Sequence, residues 1–191
     1  MWQNKDKIFC IGRNKTGTTS IEKWMQMIGC SVAPQQAGEN CTLDVINGDY
    51  SKLNNLVLDF NGFQDLPYNL PNVPQHLHKN YPNAYFILTV RRSSDEWYQS
   101  LVRYNRKIEP TQPIGKTTVA EMQHKIYGDY IENKQNCIEH YEKYNMQIEE
   151  YMIRNNARFI KLCLSEPNAN QILCDFVGVN GINLPHLNKS K

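Results

Sequence analysis

A lysine set between two glycines and followed by a run of hydroxyls is the most chemically suggestive feature of the chain: Gly12-Arg13-Asn14-Lys15-Thr16-Gly17-Thr18-Thr19-Ser20. An apolar run, Ile8 to Ile11, precedes the segment, and Ile21, Trp24, Met25 and Ile28 follow it at helical spacing. The pattern predicts a strand, a tight loop and a helix, so that backbone N–H groups and the positive end of the helix dipole converge on one point. Such a point is a receptacle for a phosphate or similar anion. Arg13, Asn14, Lys15, Thr16, Gly17, Thr18, Thr19 and Ser20 are the candidate binding residues. The amides and hydroxyls are neutral donors and Lys15 is the central cation. Thr19 with Glu22 three residues on has the form of a capping box, although the helix could also begin a turn earlier, near Thr16.

A second cationic point comes midway along the chain. Ala84-Tyr85-Phe86-Ile87-Leu88-Thr89-Val90 reads as a buried strand ending at Arg91-Arg92-Ser93-Ser94, where a serine can cap a helix carrying Trp97, Leu101 and Tyr104. Arg92 offers a planar fork of donors suited to a phosphate. A third strand is expected over Arg158 to Leu164, and a short one near Phe60–Gln64. Further helices are expected from about Tyr50 to Leu58, through Val119, Met122, Ile126 and Tyr130, through Ile138 to Tyr151, and after Pro167. Pro110 to Gly115 reads as a surface loop, and residues 30–57 have no clear pattern beyond a loop leading into the helix expected from about Tyr50. Alternating strands and helices predict an α/β fold, a three-layer sandwich with a mostly parallel sheet. Ligands gather beyond the carboxyl ends of such strands, where both the Lys15 loop and the Arg92 turn fall.

The whole chain sets bounds on these readings. Its 191 residues suit one domain, 1–191, with 40% hydrophobic and 21% charged residues, ordinary for a globule. A formal charge of +2 is too mild to argue for nucleic acid, so an anion site has to be a local cluster. No apolar run reaches the ~20 residues of a membrane span, and the polar start, Met1 to Lys7, does not read as a signal peptide. The six cysteines have irregular spacing and no C-x-x-C pair. A reduced, cytoplasmic protein without a disulfide framework or metal site is the expectation.

These motifs together resemble the PAPS-dependent sulfotransferase superfamily (PAPS, 3′-phosphoadenosine 5′-phosphosulfate), in which a lysine lies just before Gly-Thr-Thr. The nucleotide triphosphatase pattern, G-x-x-x-x-G-K-[ST], has its lysine after the second glycine, whereas here Gly17 is followed by Thr18 and preceded at two positions by Lys15. The resemblance implies a P-loop-containing nucleotide-hydrolase-like (sulfotransferase) topology and PAPS as co-substrate, with no metal. It assigns the 5′-phosphosulfate to the Lys15 loop and the 3′-phosphate to Arg92 with Ser100, eight positions on. Ser93-Ser94 stands where the family usually has Asp-Pro or Asn-Pro. The tail Leu184-Pro185-His186-Leu187-Asn188-Lys189-Ser190 is similar to a family ending, which implies that His186, Asn188 and Lys189 fold back near the nucleotide. Lys15 is the implied catalytic cation. Asp65 is the candidate base, because Phe63-Gln64-Asp65-Leu66-Pro67 resembles an Asp-x-Pro segment of close relatives. Asp59 and Glu39 are weaker candidates, and His76 and His78 flank a proline-bounded segment.

The implied reaction moves a sulfuryl group from PAPS to a hydroxyl or amine of a small-molecule, glycan or lipid acceptor and releases PAP. Two other functions fit parts of the pattern: a P-loop kinase or nucleotide phosphotransferase, and a non-catalytic PAP- or nucleotide-binding remnant of the family. Plainer structural roles compete as well. The glycines could form a bare strand-to-helix turn, Arg91-Arg92 could be a solvated strand end paired with Asp95 or Glu96, and Asp65 could cap a turn.

Overall fold

The structure, a computed structural model, describes Trp2, residues 6–108 and residues 133–185. The expected loop at Pro110–Gly115, the helix through Val119 to Tyr130 and the tail residues His186, Asn188 and Lys189 lie outside the described residues.

Short apolar runs make parallel strands because both of their faces can be buried. Among the described residues, β1 (Ile8–Cys10), β2 (Gly62–Phe63), β3 (Tyr85–Val90) and β4 (Arg158–Cys163) form one all-parallel sheet in the order β2-β1-β3-β4. Ile8 stands opposite Gly62 on one side and Tyr85 on the other, and Tyr85 in turn stands opposite Arg158. The strand expected near Phe60–Gln64 is therefore real, and shorter than its apolar residues suggest.

Alternation along β1 divides the core. Phe9 and Ile11 join Val57, Leu77, Trp97 and Tyr144 on one face of the sheet. Ile8 and Cys10 join Trp24, Met25 and Leu173 on the other. The helices that supply these residues are α1 (Thr18–Met27), α4 (Ser51–Asp59), α5 (Val73–Asn80), α6 (Ser94–Ile108), α7 (Lys134–Arg154) and α8 (Ala169–Val177), with two short helices, α2 (Gln35–Glu39) and α3 (Thr42–Ile46), between α1 and α4. All six core helices contribute apolar side chains to one face or the other, so the sheet is covered on both.

Local chemistry explains the element ends. The Glu96 N–H donates to Ser93 Oγ at 3.1 Å, so Ser93 caps α6 as expected. The capping box at Thr19 is not formed. Gly17 is the residue before the helix, at φ 101°, and Thr19 lies inside the first turn. A left-handed glycine turns the chain into the helix abruptly, and a threonine cap has no place in that geometry. α5 has its proline in the first turn, where a missing N–H costs nothing, and it buries Val73, Pro74 and Leu77. His76 accordingly serves packing: it stacks on Tyr50 with ring centres 4.1 Å apart and its Nε2 meets Asn54 Oδ1 at 2.8 Å. His78 lies edge-on to Phe86 and Tyr151.

Candidate functional site

β1 and β3 are neighbours, yet the chain leaves β1 for β2 on one side and returns to β3 on the other. Connections that diverge in this way open a crevice at the carboxyl ends of the two strands. The loop 12–17 follows β1 and the turn 91–93 follows β3, so both border that crevice.

Several contacts shape the loop. Gly12 has no room for a side chain, since an added Cβ would collide with the Thr89 hydroxyl and carbonyl and stand 2.8 Å from the Thr89 nitrogen. Thr16 turns its hydroxyl inward, 2.6 Å from the Arg13 carbonyl oxygen and 2.6 Å from Thr89 Oγ1. Lys15 has left-handed backbone, φ 71°, as does Gly17. The first helical bonds of α1 run from the Ser20 and Ile21 N–H groups to the Gly17 carbonyl, at 2.9 and 3.3 Å. The amides of Thr18 and Thr19 precede these bonds, as at any helix start, and have no partner within the helix. Thr18 and Ser20 are buried and Thr19 is exposed.

The Lys15 side chain extends over the Tyr104 ring of α6, with Nζ 4.0 Å from the ring centre. Burial lowers its pKa; the Asp65 carboxylate opposes that shift, and the Arg91 and Lys107 charges add to it. Asp65 ends the β2 segment in left-handed backbone, φ 63°, just before a cis Leu66–Pro67 peptide. Its Oδ1 accepts from Asn14 Nδ2 at 2.6 Å and from Asn69 Nδ2 at 3.4 Å. Desolvation, then the nearby Glu39 charge, raises the Asp65 pKa to about 6, with the Leu66 N–H, Lys15 and Asn69 acting in the opposite sense. The same two carboxylates add to the burial that raises the Tyr104 pKa. Lys15, Tyr104, Asp65 and Glu39 thus share one electrostatic neighbourhood beside the amino end of α1. An ammonium, a high-pKa carboxyl and free helix-start amides can together stabilise a developing oxyanion and accept a proton.

Other candidates fall elsewhere. Asn14 holds Asp65 and also accepts from Asn69 Nδ2 at 3.1 Å, so its side chain supports the acid. Arg13 is buried, its guanidinium carbon 3.8 Å from the Tyr144 ring centre and its Nη1 donating to the Asn69 carbonyl at 2.9 Å. Its side chain braces the loop from inside. Arg92 is largely exposed; it donates to the Ser165 carbonyl at 3.0 Å and lies 3.6 Å from Glu166, and of the tandem arginines it is Arg91 that makes the expected pairing with Glu96. Ser100 is buried on α6. Asp59 is near Lys7, at the amino edge of β1, which removes it from the crevice.

The sequence reading missed the contact of Arg91 with the Lys15 loop and missed Tyr104 as a neighbour of that loop. Arg91 Nε donates to the Lys15 carbonyl at 2.7 Å and its Nη1 meets Glu96 at 3.2 Å. Consecutive residues at a strand end point to opposite sides, so the tandem arginines carry that signal: one turns to the Lys15 loop and the other toward the end of β4. Tyr104 fits the apolar periodicity of α6, and nothing local distinguishes it from a core residue. Among the described residues no group of histidine, cysteine or acidic side chains could hold a metal ion, and no helix is long and apolar enough to cross a membrane.

Similar proteins agree with this architecture. A crystal structure of a sulfotransferase from Alicyclobacillus acidocaldarius superposes with a TM-score of 0.61, covering 95% of this chain and 84% of that one at 16% sequence identity, a likeness of fold. Among curated proteins none matches. The family described as "Sulfotransferase domain" matches residues 7–191, nearly the full length. With its parallel sheet and its lysine-bearing loop after the first strand, the chain belongs to the sulfotransferase domain family.

Proposed function

We propose that the protein is a PAPS-dependent sulfotransferase that moves a sulfuryl group to a hydroxyl or amine of a small-molecule, glycan or lipid acceptor and releases PAP. The observation that carries this reading is the Lys15 ammonium, held over Tyr104 beside the start of α1 and within the field of Asp65. The donor set fits a phosphosulfate: two helix-start amides, neighbouring hydroxyls and one desolvated cation. Thr18, Thr19, Ser20 and the amides of residues 17–19 bind the 5′-phosphosulfate in this reading. Thr16 bonds inward through its hydroxyl and also donates its N–H to the Arg13 carbonyl at 3.3 Å, so its part in this reading is to shape the loop. Lys15 stabilises charge that builds on the bridging oxygen as the sulfur–oxygen bond to the donor breaks. Asp65, with its pKa near 6, is mostly ionised at neutral pH and takes the acceptor's proton as the new bond from sulfur to the acceptor's oxygen or nitrogen forms.

Arg92 and Ser100 are assigned to the 3′-phosphate. The exposed Arg92 fork has only surface contacts to exchange for that phosphate. Gly17 makes the loop's second turn, and His186, Asn188 and Lys189 are assigned to close over the nucleotide. The reading treats residues 1–191 as one domain, and the six free thiols, five of them buried, are in keeping with a cytoplasmic protein.

Incubation with ³⁵S-labelled PAPS and a panel of phenols, sugars, amines and lipids tests the reading. Label transfer with PAP release is expected. Stabilisation of the protein by ATP·Mg²⁺ in preference to PAP would favour a phosphotransferase, and PAP binding without product would favour a non-catalytic binder.

A further inference from the structure

Two successive carbonyl groups of the anion loop are gripped by Arg91, in the turn after β3, and Trp97, in the first turn of α6. Trp97 Nε1 donates to the Asn14 carbonyl at 2.9 Å, and Arg91 Nε donates to the Lys15 carbonyl at 2.7 Å. Both grips are themselves fixed. The Trp97 indole is buried and stacked on Tyr141, with ring centres 4.2 Å apart and planes 9° from parallel. The Tyr141 hydroxyl accepts from the Arg91 N–H at 3.1 Å, and the Arg91 guanidinium is paired with Glu96 at 3.2 Å. These contacts join α6, α7 and the end of β3 into one support for two peptide units.

The residue between those peptide units is Lys15, in left-handed backbone at φ 71°. A lysine in that region carries a steric cost that glycine avoids, so it stays there only where its surroundings compel it. A carbonyl and the N–H of the next residue point in opposite directions across a trans peptide. Drawing the Asn14 carbonyl onto Trp97 therefore turns the Lys15 N–H away from α6. Drawing the Lys15 carbonyl onto Arg91 fixes the backbone from which the ammonium reaches Tyr104.

Resting on the sulfotransferase reading, we propose that Arg91 is a positioning residue for the transfer: it acts through Lys15, by holding that residue's carbonyl, and Trp97 supplies the matching grip on Asn14. Arg91 differs in this from Arg92, whose donors point to Ser165 and Glu166. The tandem arginines divide the labour, one setting the loop and one facing the nucleotide.

A double-mutant cycle tests the proposal. Arg91→Ala is expected to lower kcat tenfold or more while changing PAP affinity, read by calorimetry, less than about threefold. On a Lys15→Ala background the same substitution is expected to cost nothing further, because the residue through which it acts is gone. A full additional loss on that background overturns the proposal, as does wild-type kcat in Arg91→Ala. Arg91→Lys, which keeps a donor, and addition of guanidinium ion to Arg91→Ala should each restore part of the rate. Hydrogen exchange gives a readout without turnover: amides of residues 14–17 are expected to exchange faster in Arg91→Ala and in Trp97→Phe, with β3 unchanged. Unaltered exchange in both variants overturns the clamp. If the wild-type chain transfers no sulfuryl group, the sulfotransferase reading fails, and the exchange result still decides whether these residues hold the loop.

Discussion

The Lys15 ammonium lies 4.0 Å from the centre of the Tyr104 ring, a contact between the loop after β1 and the middle of α6. A cation over an aromatic face gains roughly 0.5–2 kcal/mol, more as water is excluded. Tyr104 therefore biases a flexible side chain toward one side of the crevice. Lys15→Ala is expected to lower kcat a hundred- to thousandfold, the ~3–4 kcal/mol typical of a lost oxyanion donor, with PAP binding weakened but measurable. Tyr104→Leu should cost about three- to thirtyfold, and Tyr104→Phe, which keeps the ring, much less. Steady-state kinetics against PAPS checks the order; equal losses in Tyr104→Phe and Tyr104→Leu would mean that the hydroxyl, not the ring, matters.

Asp65 makes opposite predictions for stability and for activity. Burial raises its pKa from the usual 3.8 to about 6. An acid whose folded pKa is raised binds more protons in the folded state between those values, so stability falls as pH rises from about 4 to about 6. The charged form then remains a liability at neutral pH. Asn suits left-handed backbone and can still accept from Asn14. Asp65→Asn should therefore unfold at a higher temperature than wild type at pH 8, with the difference gone below pH 4, while transfer falls sharply. In the wild type, kcat should decline on the acid side with an apparent pKa near 6. Calorimetric melts across pH, paired with a pH–rate profile, separate this from a turn-capping role, for which Asp65→Asn would leave turnover intact.

Arg92 is held at the surface by Glu166 and the Ser165 carbonyl. Exposed ion pairs are worth about 0–1 kcal/mol and are screened by salt. Arg92→Ala should raise the KM for PAPS strongly with little change in kcat. Glu166→Gln should act in the other direction, tightening PAP by up to about fivefold at low salt, an effect that fades at high ionic strength. Calorimetric titration of PAP at two salt concentrations measures both; an unchanged KM in Arg92→Ala would remove the residue from the nucleotide site.

Much of the scaffold was legible because parallel strands need continuous apolar runs. β1, β3 and β4 stand where Ile8–Ile11, Ala84–Val90 and Arg158–Leu164 indicated, and Ser93 caps α6 as its position suggested. α5 was hidden because Pro74 and two histidines obscure its apolar stripe, although proline in a first turn is a helix signal. The short α2 and α3 carry too few residues for a period to show. The placement of Lys15 in the loop after β1 and of Asp65 at the end of the β2 segment was legible from their flanking residues. Tyr104 and Arg91 were not, because their significance lies in contacts with a loop more than seventy residues earlier. Periodicity along α6 gives Tyr104 a side of the helix, and only the pairing of β1 with β3 brings that side to Lys15.

The two glycines bounding the loop should differ in their tolerance of a methyl group, and the difference follows from what each would meet. At Gly12 the added carbon collides with Thr89, including its backbone oxygen, on the adjacent strand β3. Strand pairing fixes that backbone, so no small shift relieves the clash. At Gly17 the carbon comes 2.5 Å from Leu164 Cδ1, the tip of a side chain that can change rotamer. The remaining cost there is the left-handed backbone at φ 101°, roughly 1–2 kcal/mol for an L-residue. Gly12→Ala is thus expected to destabilise by at least the upper end of the ~1–3 kcal/mol of an overpacked core, and Gly17→Ala by less. Gly17→Ala should nevertheless lose more PAP affinity per unit of stability, since its turn sets the Thr18 and Thr19 amides. Urea midpoints and PAP titrations of the two variants test this ranking, and a Gly12→Ala protein as stable as Gly17→Ala would mean that β1 and β3 are not in the register described.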